Sequence, residues 1–392
     1  MTPDGAFPAT RRLFDEQPAC LSFEGTVLAC ERAEGGWDVI LDRTAIFPEG
    51  GGQGADRGLL GGAKVLDAQE ERGVIRHRCD APLAPGETVK GAVDAARRLD
   101  MSQQHTGEHI LSGTIHGLYG YNNVGFHIGA DAVTVDVGGL LTEEDLRRAE
   151  RLANECVWRD QPVEAWFPTE EELKGIAYRS KKTIDGGLRL VRIGGVDTCA
   201  CCGTHVPSTG CVGQILIVSA IHYKGGMRLT ILCGGRALAH AVRTMDENRA
   251  VSRALSAKAG ELEEAVLRLL RERDELESAM TALALRRLEH VLEARRDETV
   301  RAADLEGLKP QGLPKAAGRL AEGARAGLAL LPEQDGGWRF ALCAKEGAGP
   351  AAKALCAAFG GRGGGSGEMA QGKLASGSPE AMRETLAAFF AG

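Results

Sequence analysis

Between residues 20 and 93 apolar and polar side chains alternate in short runs. Examples are Thr26-Val27-Leu28-Ala29-Cys30, Trp37-Asp38-Val39-Ile40-Leu41 and Gly73-Val74-Ile75-Arg76-His77, with glycine-rich turns between them. A period of two broken by turn residues predicts short strands with one buried face. Residues 1–93 are therefore expected to form a small β-barrel-like domain. From Val93 the period becomes helical, over Ala95 to Asp100 and then Ser102 to Leu118. Val133, Val135 and Val137 mark a strand, and Glu143 to Arg159 reads as an amphipathic helix capped by Thr142. Arg189 to Ile193, Gln214 to Val218 and Arg228 to Cys233 read as further strands, which makes residues 94–242 an α+β domain.

Two more segments follow. Leu255, Leu262, Leu269, Leu276 and Leu283 recur every seventh residue, with Ala259, Val266 and Met280 between them. This spacing predicts a coiled coil within a helical stretch over 243–300. A transcription-factor zipper would need a dense basic helix upstream, and Arg243 to Arg253 mixes its few cations with Asp246 and Glu247. Residues 301–392 read as a small α/β domain. Its strands are Gly327 to Leu331 and Trp338 to Leu342, and its helices are Ala351 to Phe359 and Pro379 to Phe390. The run from Gly360 to Gly372 is expected to be a glycine-rich loop. Gly367 to Lys373 has the spacing of a phosphate-binding loop, but Leu374 stands where Ser or Thr should hold magnesium, so nucleotide hydrolysis is rejected. The whole is an α+β chain of 392 residues, enough for two or three domains.

Composition narrows the setting. No apolar run reaches the roughly 18 residues that cross a membrane, and the N-terminus lacks a secretory pattern, so a cytoplasmic protein is expected. Eleven cysteines, an odd number, suit a reducing compartment better than a disulfide framework. The net charge of −7 disfavours a nucleic-acid partner unless local patches carry the binding. Arg97-Arg98 and Arg179-Ser180-Lys181-Lys182 are such patches, although each alone reads as well as a solvated face.

Candidate chemistry lies in two stretches. His105-Thr106-Gly107-Glu108-His109 places two imidazoles one helical turn apart on the same face. Cys201-Cys202-Gly203-Thr204-His205 adds a thiol and an imidazole at the same spacing in a loop. Three nitrogens and one thiolate suit zinc, and His105, His109, Cys201 and His205 are the candidate ligands. Ordinary core or surface residues are the plain alternative. His105-x-x-Glu108-His109 also fits an inverted zinc-peptidase pattern with Glu108 as general base, but such a site should seek a downstream carboxylate, and Cys201 with His205 already completes four ligands.

Together with Phe47-Pro48-Glu49-Gly50-Gly51-Gly52-Gln53, these motifs resemble the editing domain of alanyl-tRNA synthetase. They are still more similar to the free-standing alanyl-tRNA editing proteins called AlaX. The resemblance runs over residues 20 to 240 and resumes in the glycine-rich C-terminal segment, as in the long type of AlaX. It implies a zinc-containing editing domain that hydrolyses the ester of alanine tRNA wrongly charged with serine or glycine. A second, hydrolytic sieve is useful because an alanine pocket rejects glycine and serine poorly. With no aminoacylation domain visible, action in trans and without ATP is expected.

The resemblance further implies that Gly50, Gly51, Gly52 and Gln53, with Thr204, face the aminoacyl end of the tRNA. Glu108 and His127 become candidate catalytic proton carriers, although His127 reads equally well as a structural turn residue. Cys202 stands where the family usually has glycine. The C-terminal domain is expected to bind tRNA and, with the coiled coil, to support a homodimer. A non-catalytic tRNA-binding module with structural zinc remains the other reading.

Overall fold

The computed structural model describes residues 7–180 and 188–391. Lys181 and Lys182 lie outside them. The chain divides into two compact units, Met1–Glu247 and Asn248–Gly392. Each has its own sheets and core, and the architecture is mixed α+β.

The first unit opens with β1 (Arg11–Arg12) and a single helical turn, α1 (Leu13–Glu16). Then come β2 (Ser22–Ala33), β3 (Gly36–Leu41), β4 (Arg43–Thr44), β5 (Gly58–Leu60), β6 (Ala63–Glu71), β7 (Val74–Cys79) and β8 (Thr88–Val93). The short β4 pairs with β1. The other six pair in the order β2–β3–β7–β6–β5–β8, and β8 returns to β2, so they form a closed barrel. Val27, Val39, Leu41, Leu60, Val65 and Ile75 fill it. His77 sits fully buried among them. Its Nδ1 meets the Val39 carbonyl at 3.0 Å and its Nε2 meets the Thr44 hydroxyl at 3.0 Å. Burial holds this imidazole down at about 4, so it is neutral.

The helix α2 (Ala95–Tyr119) runs unbroken where the sequence pattern suggested two pieces. Nothing between Asp100 and Ser102 breaks it, and Met101 simply continues the buried face. Asp94 caps it by accepting from the Arg97 amide, and Gly120 ends it in the left-handed conformation. Arg98, on its first turns, reaches into the barrel. There it is ion-paired with buried Asp56 and donates to the Ala45 carbonyl at 2.6 Å. Asp56 also accepts from the Phe47 amide at 2.8 Å, so this pair ties the Phe47–Asp56 loop to the helix.

Next come β9 (Asn123–Ile128), β10 (Val133–Val137), α3 (Glu143–Trp158), β11 (Val163–Trp166), the turn α4 (Glu170–Leu173), β12 (Leu190–Ile193), β13 (Asp197–Ala200), β14 (Ile215–Tyr223), β15 (Gly226–Cys233) and α5 (Gly234–Ala254). Thr142 and Asp145 form a capping box at the start of α3. One sheet has the order β14–β15–β10–β9 and another β11–β12–β13. Ile110, Leu111 and Ile115 of α2 pack with Val133, Val135, Ala149, Ala153 and Leu229 in a common core. This fixes the helix that carries the histidines against both sheets.

The second unit holds α6 (Leu262–Ala294), β16 (Val300–Asp304), α7 (Leu313–Ala321), β17 (Ala326–Pro332), β18 (Trp338–Ala344), α8 (Ala348–Phe359), β19 (Gly361–Ser366), β20 (Met369–Leu374) and α9 (Pro379–Ala391). Its sheet runs β16–β17–β18–β20–β19. Two expectations change here. Leu255 to Glu261 are not helical, since Ser256 and Gly260 take φ of +52° and +83°, so the leucine repeat is interrupted after its first member. The segment after Gly360 is a hairpin and not a loop. A Cβ at Gly361 would lie 2.1 Å from the Lys373 carbonyl oxygen, and one at Gly365 would lie 2.0 Å from that of Met369. Glycine here permits close strand pairing.

Candidate functional site

Residues 105 and 109 on α2 and residues 201 and 205, in the loop after β13, converge. One ligand atom from each of His105, His109, Cys201 and His205 lies within 4.8 Å of every other. The Cys201 Sγ stands 3.4 Å from Nε2 of His105 and 3.4 Å from Nε2 of His205. A tetrahedral zinc with Zn–S of about 2.3 Å and Zn–N of about 2.0 Å puts sulfur and nitrogen about 3.5 Å apart. The spacing fits such an ion.

The opposite edge of each ring has its own partner. His105 Nδ1 donates to Gln53 Oε1 at 2.9 Å, His109 Nδ1 to Asp197 Oδ2 at 3.1 Å, and His205 Nδ1 meets Thr106 Oγ1 at 3.1 Å. With Nδ1 engaged three times over, every Nε2 is left toward the cluster's centre, as metal-binding histidines require. Gln53 cannot flip, because its Nε2 donates to Thr204 Oγ1 at 2.8 Å while its Oε1 accepts from the Thr204 amide at 3.1 Å. Asp197 is gripped in turn by Arg179, at 2.8 Å from Nε and 2.8 Å from Nη2.

The electrostatics agree with this donor set. Burial opposes ionisation of Cys201, but three neighbouring imidazoles outweigh it and hold the thiol well below its ordinary value. Burial keeps His205 neutral, down at about 3. Burial also disfavours the charged form of His109, yet Cys201 and Asp197 raise it well above the usual histidine range. A thiolate ringed by buried imidazoles is the donor chemistry of a zinc site. A second cluster, His109, Asp197 and Cys199, is less suited to a metal. Asp197 is already bonded to Arg179, and burial pushes the Cys199 thiol up.

The loop that carries Cys201 is shaped by one glycine. A Cβ on Gly203 would lie 2.1 Å from Cε1 of His105, so this position admits no side chain. Cys202, in the same loop, is exposed. Arg189 holds the loop from behind. Its Nη1 donates to the carbonyls of Cys201 and Gly203, each at 3.0 Å, and its Nε pairs with Asp15 at 3.2 Å.

The remaining expected residues divide. Gly50 to Gln53 form a tight hairpin turn, with Gly51 and Gly52 at φ of +60° and +86°. The Gly52 carbonyl accepts from the Ile128 amide at 2.8 Å and so joins this barrel loop to β9. Gln53 is fully buried and Thr204 nearly so, with their polar atoms used on His105, Ser102 and each other. They stand behind His105. Glu108 is buried, accepts from Asn123 Nδ2, and lines a cavity of about 570 Å³ together with His109.

His127 is not brought to the cluster. Strand alternation turns Phe126 toward His105, with ring centroids 5.0 Å apart, and leaves the next side chain, His127, exposed on the other face. Spacing missed Asp197, Arg179, Thr106 and Arg189. Their roles depend on pairings across many residues, and Arg179 read only as part of a surface patch.

Residues 188–228 match the family described as the threonyl and alanyl tRNA synthetase second additional domain, and this stretch contains Cys201 and His205. The alanine–tRNA ligase of Pyrococcus abyssi is 32% identical over 397 aligned positions, covering 94% of this chain and 42% of the ligase. That of Methanoregula boonei is 31% identical over 405 positions, covering 97% and 43%. The chain is thus similar to part of the alanine–tRNA ligases. The alanine–tRNA ligase of Halorubrum lacusprofundi adds 34% identity over 261 residues, covering 63% of this chain and 28% of the ligase. The chain thus spans less than half the length of these curated relatives. Among the described residues, no helix is long and apolar enough to cross a membrane.

Proposed function

We propose that this chain is a zinc-dependent deacylase acting in trans on alanine tRNA charged with serine or glycine, of the long AlaX type. The observation that carries the reading is the convergence of His105, His109, Cys201 and His205, each histidine fixed through its Nδ1. Zinc bound there would supply an electrophilic centre for the ester carbonyl or for water.

The chain's own residues do the rest. Gln53, Thr106 and Asp197 keep the three imidazoles in the right tautomer and orientation. Glu108, beside His109 in the cavity wall and steadied by Asn123, is the candidate to take a proton from water. His127, exposed on the far face, is given no catalytic part. Gln53 and Thr204 shape the site from behind His105, with Gly50 to Gly52 in the turn beside them. In the second unit, the exposed Leu269, Leu276, Met280 and Leu283 on α6 would make a coiled-coil contact between two copies. The domain behind it would add tRNA contacts.

The peptidase reading is weaker, because Cys201 and His205 complete the cluster where a peptidase of this pattern would use a downstream carboxylate. The purified chain should carry one zinc per unit, lost in Cys201→Ala, and should release serine from seryl-tRNA. Zinc without release, on a variant set that folds, would leave the module a binding one.

A further inference from the structure

The single turn α1 supplies no ligand to the His/Cys cluster, yet it touches the supports of both loops that build it. β1 lies along β4, and the Thr10 amide donates to the Gly73 carbonyl at 2.8 Å, so the approach to the turn is fixed to the barrel. Leu13 and Phe14 are buried in the barrel core. The Phe14 ring meets Phe47 edge-on, with centroids 5.5 Å apart, three residues before the Gly50–Gln53 turn begins. Asp15, the next residue, meets Arg189. Its carboxylate is only 8% exposed and lies 3.2 Å from the guanidinium, while Arg12 is farther away at 3.8 Å.

Arg189 holds the Cys201–His205 loop at three points. Its own carbonyl accepts from the Cys201 amide at 3.1 Å, and its Nη1 donates to the Cys201 and Gly203 carbonyls, each at 3.0 Å. Between those two carbonyls the Gly203 amide faces the Cys201 Sγ at 3.4 Å, so the backbone that Arg189 fixes also sets the sulfur. A guanidinium this deeply buried is costly to keep without a counter-charge. Among the described residues, Asp15 is the carboxylate ion-paired with it. Once that charge is removed, the cation either moves out to water and drops both carbonyls, or stays as an unbalanced positive charge next to a donor set that suits a second cation. Both outcomes loosen the thiolate.

We infer that Asp15 is a positioning residue for the His/Cys cluster: through Arg189 it fixes the backbone that carries Cys201. The turn α1 thereby holds the barrel's glycine turn and the cysteine loop in one mutual geometry. The inference rests on the zinc site of the proposed function and deepens it by one support, drawn from a segment far away in sequence.

The test compares full-length parent protein with Asp15→Asn, Asp15→Glu, Arg189→Lys and Glu16→Gln. Glu16 lies on the same turn and pairs with Arg11 at 2.7 Å, so its variant disturbs α1 without removing the charge beside Arg189. Zinc affinity is read by competition with a chelator, and the thiolate's placement by the sulfur-to-metal absorption band of the cobalt-loaded protein. Asp15→Asn should bind zinc about 10- to 100-fold more weakly and show a shifted or weakened cobalt band. Arg189→Lys, which keeps the charge but loses the planar fork, should do the same. Asp15→Glu should recover most of the loss, and Glu16→Gln should match the parent. Parent-like zinc affinity and cobalt band in both Asp15→Asn and Arg189→Lys would overturn the inference. So would an equal loss in Glu16→Gln, or a melting temperature lowered by Asp15→Asn to the same extent with and without zinc, because either marks a support of the fold alone. If the affinities follow the expected order while seryl-tRNA stays intact, the positioning role stands and the deacylase reading falls. If the parent releases serine and Asp15→Asn keeps its zinc affinity and cobalt band, the reverse holds.

Discussion

The least replaceable contacts in the site are those on the far side of the imidazoles. Asp197 is buried between His109 and Arg179. Burial opposes its charge, but those two partners outweigh it and hold the carboxylate below its usual range. Asp197→Asn keeps the size but removes the charge-assisted acceptor for His109, and zinc affinity should fall about 10- to 100-fold in competition with a chelator. Unchanged affinity would mean that His109 needs no such support. Glu108→Gln tests the proton carrier, with kcat expected to fall about 100-fold or more at normal zinc content. Unchanged turnover would remove Glu108 from the mechanism. The four ligand candidates were legible in the sequence because helical and loop spacing each deliver a pair. Their supports were not, since Gln53 lies 52 residues from His105 and Asp197 lies 88 from His109. Nor does a motif show which way a side chain faces, and so the bonds of Gln53 and Thr204 to His105, Ser102 and each other were not legible either.

At the level of elements, the barrel carries its own acid sensitivity. His77 sits at about 4 in the folded chain against about 6.5 when unfolded. Above pH 6.5 both states are neutral and nothing is lost. As pH falls from 6.5 toward 4, the unfolded chain takes a proton that the folded one refuses. Stability therefore drains over that window, by about 3 kcal/mol in all. Denaturant unfolding of the parent and His77→Gln at pH 7.5 and pH 4 should show their stability difference shift by about this amount. A pH-independent difference would contradict the assignment. Alternation and capping read these elements well, from β3 and β7 to the Thr142-capped α3. They failed where glycine reverses its usual sense. The Gly360–Gly372 run became paired strands because its backbones approach too closely for side chains, and Phe340 packs against Gly363 and Gly372 from below. The leucine repeat likewise ran through a turn at Ser256, which a seven-residue count cannot see.

On the scale of the whole molecule, the chain has two compact units, and the proposed function puts chemistry in the first and assembly with tRNA contact in the second. The α6 seam leaves Leu269, Leu276 and Leu283 each more than half exposed. Sedimentation should find a dimer at micromolar concentration, and Leu269→Lys with Leu276→Lys should yield monomers that still bind zinc. A parent chain that is monomeric throughout would remove the seam from the account. The decisive assay is release of serine from seryl-tRNA(Ala) by the zinc-loaded chain, with alanyl-tRNA(Ala) and a Cys201→Ala protein alongside. Serine release should be rapid, with little loss of alanine and no release once Cys201 and its zinc are gone. Intact seryl-tRNA(Ala) in the presence of fully zinc-loaded protein would contradict it.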